Sequence, residues 1–124
     1  MLLAFETLEA LRALPQTSPE ALVLVDERRI VPMSVNTGLA QYPDDAMQRL
    51  EAGGRHVHVV PAFAIAADLG EYRAANVVML GAASRHLAIT SEVWQEAIKH
   101  SVRPRAVDSS LKAFEAGLAA LAGA

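Results

Sequence analysis

The sequence predicts an α/β fold: a three-layer α/β/α sandwich with a small, mainly parallel sheet and a helical C-terminal half. Three observations predict it. Short apolar runs, "MLLAF", "ALVLV" and "RHVHVV", recur in the first half with helix-length segments between them. A helical segment, the pair Gly53 and Gly54, and a further apolar run follow one another in the order of an α/β crossover unit. From Ala62 onward, apolar residues recur at helical spacing almost without interruption. A length of 124 residues suits a single domain over 1–124, long enough to bury a core without disulfides or a structural metal.

Each element has its own signal. "MLLAF" is a short apolar run and reads as a buried strand. Thr7 is placed to cap a helix reaching Leu14, with Leu8, Leu11 and Leu14 on one face. Pro15 stops that helix, and "PQTSPE" is a loop. Val23, Leu24 and Val25 form a continuous apolar run, the pattern of a strand covered on both faces. "DERR" turns. "RIVPMSV" reads as a second strand of this region, one that Pro32 makes an edge or an irregular strand, and "NTGLAQ" is a loop.

Pro43 suits the first turn of a helix, with Asp44 and Asp45 at its positive end. Met47 and Leu50 face inward, and the glycine pair ends the helix. "RHVHVVPA" is the next strand. "AFAIAADLG" is a short helix stopped near Gly70, and "EYRAANVVMLGAASRHLA" a longer one. Thr90 or Ser91 caps "EVWQEAIKHSV", with Val93, Trp94, Ala97 and Ile98 inward. Pro104 breaks the pattern. Asp108 caps "SSLKAFEAGLAALAG", in which Leu111, Phe114, Leu118 and Leu121 keep helical spacing.

The stretch "NVVMLGAASRHLA" is unusual, because its apolar and small residues are not confined to one stripe. Such a helix is buried on most sides. Gly81 within it costs about 1 kcal/mol relative to alanine, a cost met most readily where another backbone comes close. The partner is either another element of this chain or a second chain.

Composition excludes several classes. The chain is 52% apolar but only 5% aromatic; the excess is alanine, which favours closely packed helices. A net charge of −3 without a basic run argues against a nucleic-acid partner. No segment reaches the roughly 18 apolar residues of a membrane span. The apolar start lacks a basic n-region, so a cytoplasmic protein is expected. With no cysteine, the chain holds no disulfide, thiol nucleophile or all-cysteine iron–sulfur site.

Several motifs together carry a family resemblance. "NVVMLGA", followed after a helix and a proline by "LKAFEAG", resembles the gamma subunit or gamma domain of the 2-oxoacid:acceptor oxidoreductases. These are the pyruvate, ketoisovalerate and indolepyruvate ferredoxin oxidoreductases. "LLAFETLEALRAL", the "YP" before a helix, and "VVPAFAIAADLG" resemble the same family, in order, from residue 2 to about residue 121. The indolepyruvate type is the most similar. Two departures stand out. The glycine-rich front of the family domain is missing, so the chain resembles its C-terminal two-thirds. Ser110 stands where the family usually has asparagine.

The resemblance implies a complex that oxidatively decarboxylates a 2-oxoacid, such as indolepyruvate or pyruvate, to an acyl-coenzyme A (CoA). Thiamine diphosphate, iron–sulfur clusters and CoA are expected in that complex, and none is expected in this chain alone. No "GDG" with a later asparagine is present to hold the magnesium of thiamine diphosphate. The gamma part is implied to act in assembly, with a contribution to the CoA site. The expected partners are the other subunits, with a homodimer for the isolated chain. A different reading is a stand-alone module, either one that binds a small ligand or nucleotide or a dimerisation domain.

Candidate residues are few. Asn36, Thr37 and Gly38 follow the expected strand, where backbone amides can hold a phosphate of CoA, although "NTG" is also an ordinary turn. Asn76 carries an amide that can touch a cofactor or satisfy a helix end. His56 and His58 alternate on a strand and share a face, but no third metal ligand is evident. Asp26, Glu27, Arg28 and Arg29 read as a solvated turn with self-compensating charges. Ser84, Arg85 and His86 are helix neighbours that do not face one another, so no hydrolase triad is expected there. No catalytic and no metal-ligating residue is assigned.

Overall fold

In the computed structural model, which describes residues 1–28 and 33–121, the chain divides into two compact units, Met1–Val59 and Val60–Ala124. The first is an α/β unit and the second is helical, the α/β-then-helical order that the sequence predicts.

In the first unit, strands β1 (Leu2–Ala4), β2 (Leu22–Val25) and β3 (His56–Val59) form a parallel sheet in the order β1-β2-β3. Leu2 lies beside Val23 and Val23 beside Val57; Ala4 lies beside Val25 and Val25 beside Val59. Because side chains alternate along a strand, Leu2, Ala4, Val23, Val25 and Val57 share one face. Helices α1 (Thr7–Ala13) and α3 (Ala46–Ala52) cover that face with Ala10, Leu11, Met47 and Leu50, joined by Leu14 just past α1. Parallel strands adjacent in chain order carry their connecting helices on one side when the crossovers share a hand. Val23, Leu24 and Val25 are all fully buried, as their unbroken apolar run requires.

The second unit comprises α4 (Ala62–Asp68), α5 (Ala75–Ser84), α6 (Ser91–Ser101) and α7 (Val107–Ala120), with single 3-10 turns at Tyr72–Ala74 and Pro104–Ala106. Helix α5 is its centre. Val78, Met79, Gly81, Ala82, Ala83 and Ser84 are all buried, and α5 packs against both α4 and α7. The backbone that approaches Gly81 belongs to α7. A Cβ at Gly81 would stand 2.1 Å from the carbonyl oxygen of Phe114, and one at Gly117 would stand 1.8 Å from that of Val78. The two helices therefore meet through reciprocal glycines, each receiving the other's main chain. Phe114 is fully buried beside this contact, and the Trp94 ring of α6 lies 6.1 Å from it.

Several local expectations are corrected. The α1 cap is Glu6 and not Thr7: Glu6 is extended, and its carboxylate accepts the Glu9 N–H at 2.9 Å. The buried Thr7 hydroxyl has no partner among the described residues. The helix expected from Pro43 begins at Ala46, after a turn through Asp44 and Asp45. The strand expected over "RIVPMSV" is not one in its described part, because Met33–Asn36 forms the short helix α2; residues 29–32 lie outside the described residues. Thr90 does cap α6, its hydroxyl accepting the Val93 N–H at 3.4 Å. Only Trp94 and Ile98 of the four expected residues turn inward; Val93 is 58% exposed and Ala97 is exposed too. Within its unit α6 rests on α7, and one narrow stripe is enough for that contact. Helix α7 begins at Val107, so Asp108 lies within its first turn and does not cap it.

Candidate functional site

Loops at the carboxyl ends of parallel strands are where α/β sheets gather functional groups. Here two carboxylates lie at those ends, and both are buried. Glu6 follows β1 and is 3% exposed; Asp26 follows β2 and is 5% exposed. The Tyr42 hydroxyl donates to Glu6 Oε1 and accepts the Leu8 N–H at 3.2 Å. Glu6 therefore serves the first turn of α1 twice, once directly and once through Tyr42. Asp26 donates its N–H to the Ala4 carbonyl at 2.9 Å, and its Oδ1 accepts the Arg28 N–H at 3.2 Å. The Arg28 carbonyl in turn accepts the Thr7 N–H at 3.2 Å. These bonds tie the end of β2 to the β1–α1 junction.

This arrangement overturns the reading of "DERR" as a solvated turn at its first member. Asp26 is buried, while Glu27 and Arg28 are exposed and Arg29 lies outside the described residues. A buried carboxylate must be hydrogen-bonded, and the backbone supplies the donor. The residues that sequence reasoning passed over are Glu6 and Tyr42. Their signal was present in "LLAFE" and "YP", but a spacing of 36 residues does not reveal that they touch.

The other candidates fall as follows. His56 is exposed and His58 half-buried on one face of β3, and no group of three metal-ligating side chains occurs among the described residues. The Ser84 hydroxyl donates to the Gly81 carbonyl at 2.6 Å and so serves its own helix, while Arg85 Nη1 donates to the Leu118 carbonyl at 3.1 Å. Asn36, Thr37 and Gly38 are exposed and end helix α2, where a strand end was expected. Thr37 and Gly38 donate their amides to Met33 and Val35, and Leu39 and Ala40 donate theirs to Ser34. A phosphate at this turn would compete with those four bonds.

Asn76 lies in the first turn of α5, where its Oδ1 accepts the Val77 N–H at 3.0 Å. It lines a pocket of about 340 Å³ within the second unit, together with Glu71, Arg73, Arg103, Arg105 and Ser110. The Arg73 guanidinium stands 5.8 Å from the Tyr72 ring centre. Its pKa is raised, first by hydrogen bonding and charge from Tyr72 and then by the Glu71 charge. Among the described residues, no helix is long and apolar enough to cross a membrane.

Comparison with known proteins gives a consistent result. Residues 1–120 match the family model described as pyruvate ferredoxin/flavodoxin oxidoreductase. The chain is 34% identical to indolepyruvate oxidoreductase subunit IorB of Thermococcus kodakarensis, with 97% of this chain and 62% of that protein covered. Against the IorB subunit of Methanothermobacter thermautotrophicus the identity is 35%, over 98% of this chain and 64% of that protein. The chain thus spans a little under two-thirds of the length of these relatives. A solved structure, the gamma subunit of a keto/oxoacid ferredoxin oxidoreductase from Geobacter sulfurreducens, superposes with a TM-score of 0.69 at 22% identity. That match covers 98% of this chain and 64% of the other, and it speaks to the fold alone.

Proposed function

The chain belongs to the pyruvate ferredoxin/flavodoxin oxidoreductase family, and from that premise we propose that it is a non-catalytic part of an indolepyruvate-type 2-oxoacid oxidoreductase. The observation that carries the reading is the likeness to two IorB subunits along nearly the whole chain. The absence of cysteine from these 124 residues supports the non-catalytic assignment, since cysteine-held clusters must then be held outside them. Thiamine diphosphate and the clusters belong to those partners. This chain contributes to assembly and to a CoA contact, for which Asn36, Thr37, Gly38 and Asn76 are the candidates.

Two measurements test this. The purified chain, supplied with thiamine diphosphate, magnesium, CoA and indolepyruvate, is expected to reduce no artificial acceptor. The same chain is expected to co-purify with the thiamine diphosphate subunit of its source organism and to be required for that complex's full activity. Turnover by the chain alone, or a fully active complex that excludes it, overturns the reading.

The assembly role has support in the edge of the sheet. The Ala4 carbonyl faces β2, where it accepts the Asp26 N–H, so the backbone groups of Leu3 and Phe5 point away from the sheet. Among the described residues no strand pairs with that outer edge. Beside it runs a groove of about 400 Å³ lined by Leu2, Leu3, Ala4, Phe5 and Ala13, with Glu6 and Glu9 at its wall. An apolar strand edge of this kind invites pairing with another chain. In isolation the occupant is a second copy, related by a twofold axis. Sedimentation equilibrium is expected to give a dimer, and Leu3→Pro, which brings a ring and removes an outward N–H, is expected to shift it to monomer. A monomeric parent chain at high micromolar concentration would exclude the edge as a self-association surface.

A further inference from the structure

Strand β3 has features that neither the family reading nor the β1 edge uses. It is the outer strand on the other side of the sheet, and among the described residues no strand pairs with its free edge. It is also the least covered strand. His56 and Val59 are exposed and Val57 and His58 half-buried, whereas Val23, Leu24 and Val25 of β2 are fully buried. His56 lies beside Leu22 and His58 beside Leu24, so both imidazoles stand on the sheet face opposite the one that α1 and α3 cover. Two residues along a strand span roughly 7 Å, close enough for both rings to reach one ion.

Two imidazoles are half of a tetrahedral shell, and the edge supplies the means to complete it. The His56 N–H donates to the Ala21 carbonyl at 3.2 Å, so the main-chain groups of His56 and His58 face β2 and those of Val57 point outward. A second copy paired antiparallel about Val57 exchanges both Val57 bonds with the first. His56 of one copy then stands directly opposite His58 of the other, in the closer, non-hydrogen-bonded kind of pair, with Cα atoms about 4.5 Å apart. The twofold axis of this pairing is perpendicular to the sheet, so all four imidazoles fall on one face. His58 already has an interaction of its own. That is compatible with ligation, because a metal takes one ring nitrogen and the other ordinarily keeps a second partner.

We propose that His56 and His58 form half of a metal site for Zn²⁺, completed by the same two residues of a second copy paired through β3. The donor set is all nitrogen, which suits zinc and its transition-metal neighbours and not the oxygen-seeking Mg²⁺ or Ca²⁺. Four protein ligands close the shell, so the ion holds chains together and does no chemistry. Strand β3 has only four residues, and so short a paired edge is marginal without further support. Association through it therefore depends on the metal. The inference rests on β3 alone and does not depend on the chain acting in an oxidoreductase.

The test uses the full chain, freed of metal by a chelator, in the parent form and in Leu3→Pro, which blocks the β1 edge. Sedimentation equilibrium with Zn²⁺ is expected to double the mass of Leu3→Pro, and calorimetry to give one ion per two chains. Mg²⁺ is expected to do neither, and added chelator to reverse the change. If Leu3→Pro does not fold, the same doubling is read on the parent chain. Co²⁺ is expected to give the visible absorption of a tetrahedral nitrogen site. His56→Gln and His58→Gln are each expected to abolish the doubling and the Co²⁺ band. His100→Gln, at a ring 82% exposed on α6, is expected to keep both. The assignment is overturned by an unchanged mass with Zn²⁺, by a stoichiometry other than one ion per two chains, or by a folded His56→Gln or His58→Gln variant that associates as the parent does.

Discussion

Gly117→Ala is expected to unfold the helical second unit under conditions in which the parent chain stays intact. An alanine inside a helix ordinarily stabilises it by about 1 kcal/mol relative to glycine. Here the added methyl would sit 1.8 Å from the Val78 carbonyl oxygen and 2.7 Å from its carbon. Both atoms are main chain, so no rotamer change makes room. The helices must separate, and the burial of Phe114, Val78 and Ala82 goes with the contact. Overpacking costs typically 1–3 kcal/mol; a backbone obstacle puts this site at the upper end, about 3 kcal/mol net, or roughly 10 °C in melting temperature. Gly81→Ala meets the Phe114 carbonyl at 2.1 Å and is expected to behave alike. Trp94, the only tryptophan, lies beside Phe114 and reports on this unit by fluorescence during urea unfolding. If either alanine variant is as stable as the parent, the close main-chain contact does not exist as described.

The second large effect is expected at Glu6. Glu6→Ala removes the cap of α1, worth about 1 kcal/mol, and leaves the Tyr42 hydroxyl without its carboxylate acceptor, a further 1–2 kcal/mol or about that. A total loss of about 3 kcal/mol is expected in the first unit. Hydrogen exchange separates the parts. The amide of Glu9, bonded to Glu6 Oε2, and that of Leu8, bonded to Tyr42, are both expected to lose protection in Glu6→Ala. Tyr42→Phe is expected to expose only the Leu8 amide. A double-mutant cycle should return a coupling of about 1 kcal/mol, since the two side chains are in direct contact. Additive effects would mean that Glu6 caps α1 independently of Tyr42.

These two sites illustrate different degrees of legibility. The sheet strands, the glycine pair that ends α3, the Thr90 cap of α6 and the central burial of α5 all follow from short-range pattern. Period, turn chemistry and capping act over a few residues, so a single sequence reveals them. Gly81 also announced a close backbone approach, because glycine inside a helix is costly without one. That the approaching backbone is α7, and that Gly117 answers Gly81, required the fold. Nothing in a one-dimensional pattern says which two helices meet.

The same reason explains the misplaced and missed residues. Thr7 has the better capping chemistry, but the chain direction after β1 leaves Glu6 extended and able to reach the Glu9 amide. "RIVPMSV" has strand-like composition, and its described part is nevertheless helical, because the β propensity of a short run is readily overridden by its context. In the sequence Asn76 stands alone. Arg73, Arg103, Arg105 and Ser110 join it only because two helices start at one place. What the sequence by itself determined is the family, the α/β-then-helical order and the exclusion of cysteine-based chemistry. What only the tertiary structure decided is which distant residues share a contact: Glu6 with Tyr42, and Gly81 with the main chain of α7. Local periodicity is written along the chain, whereas contacts between residues tens of positions apart depend on how the elements pack.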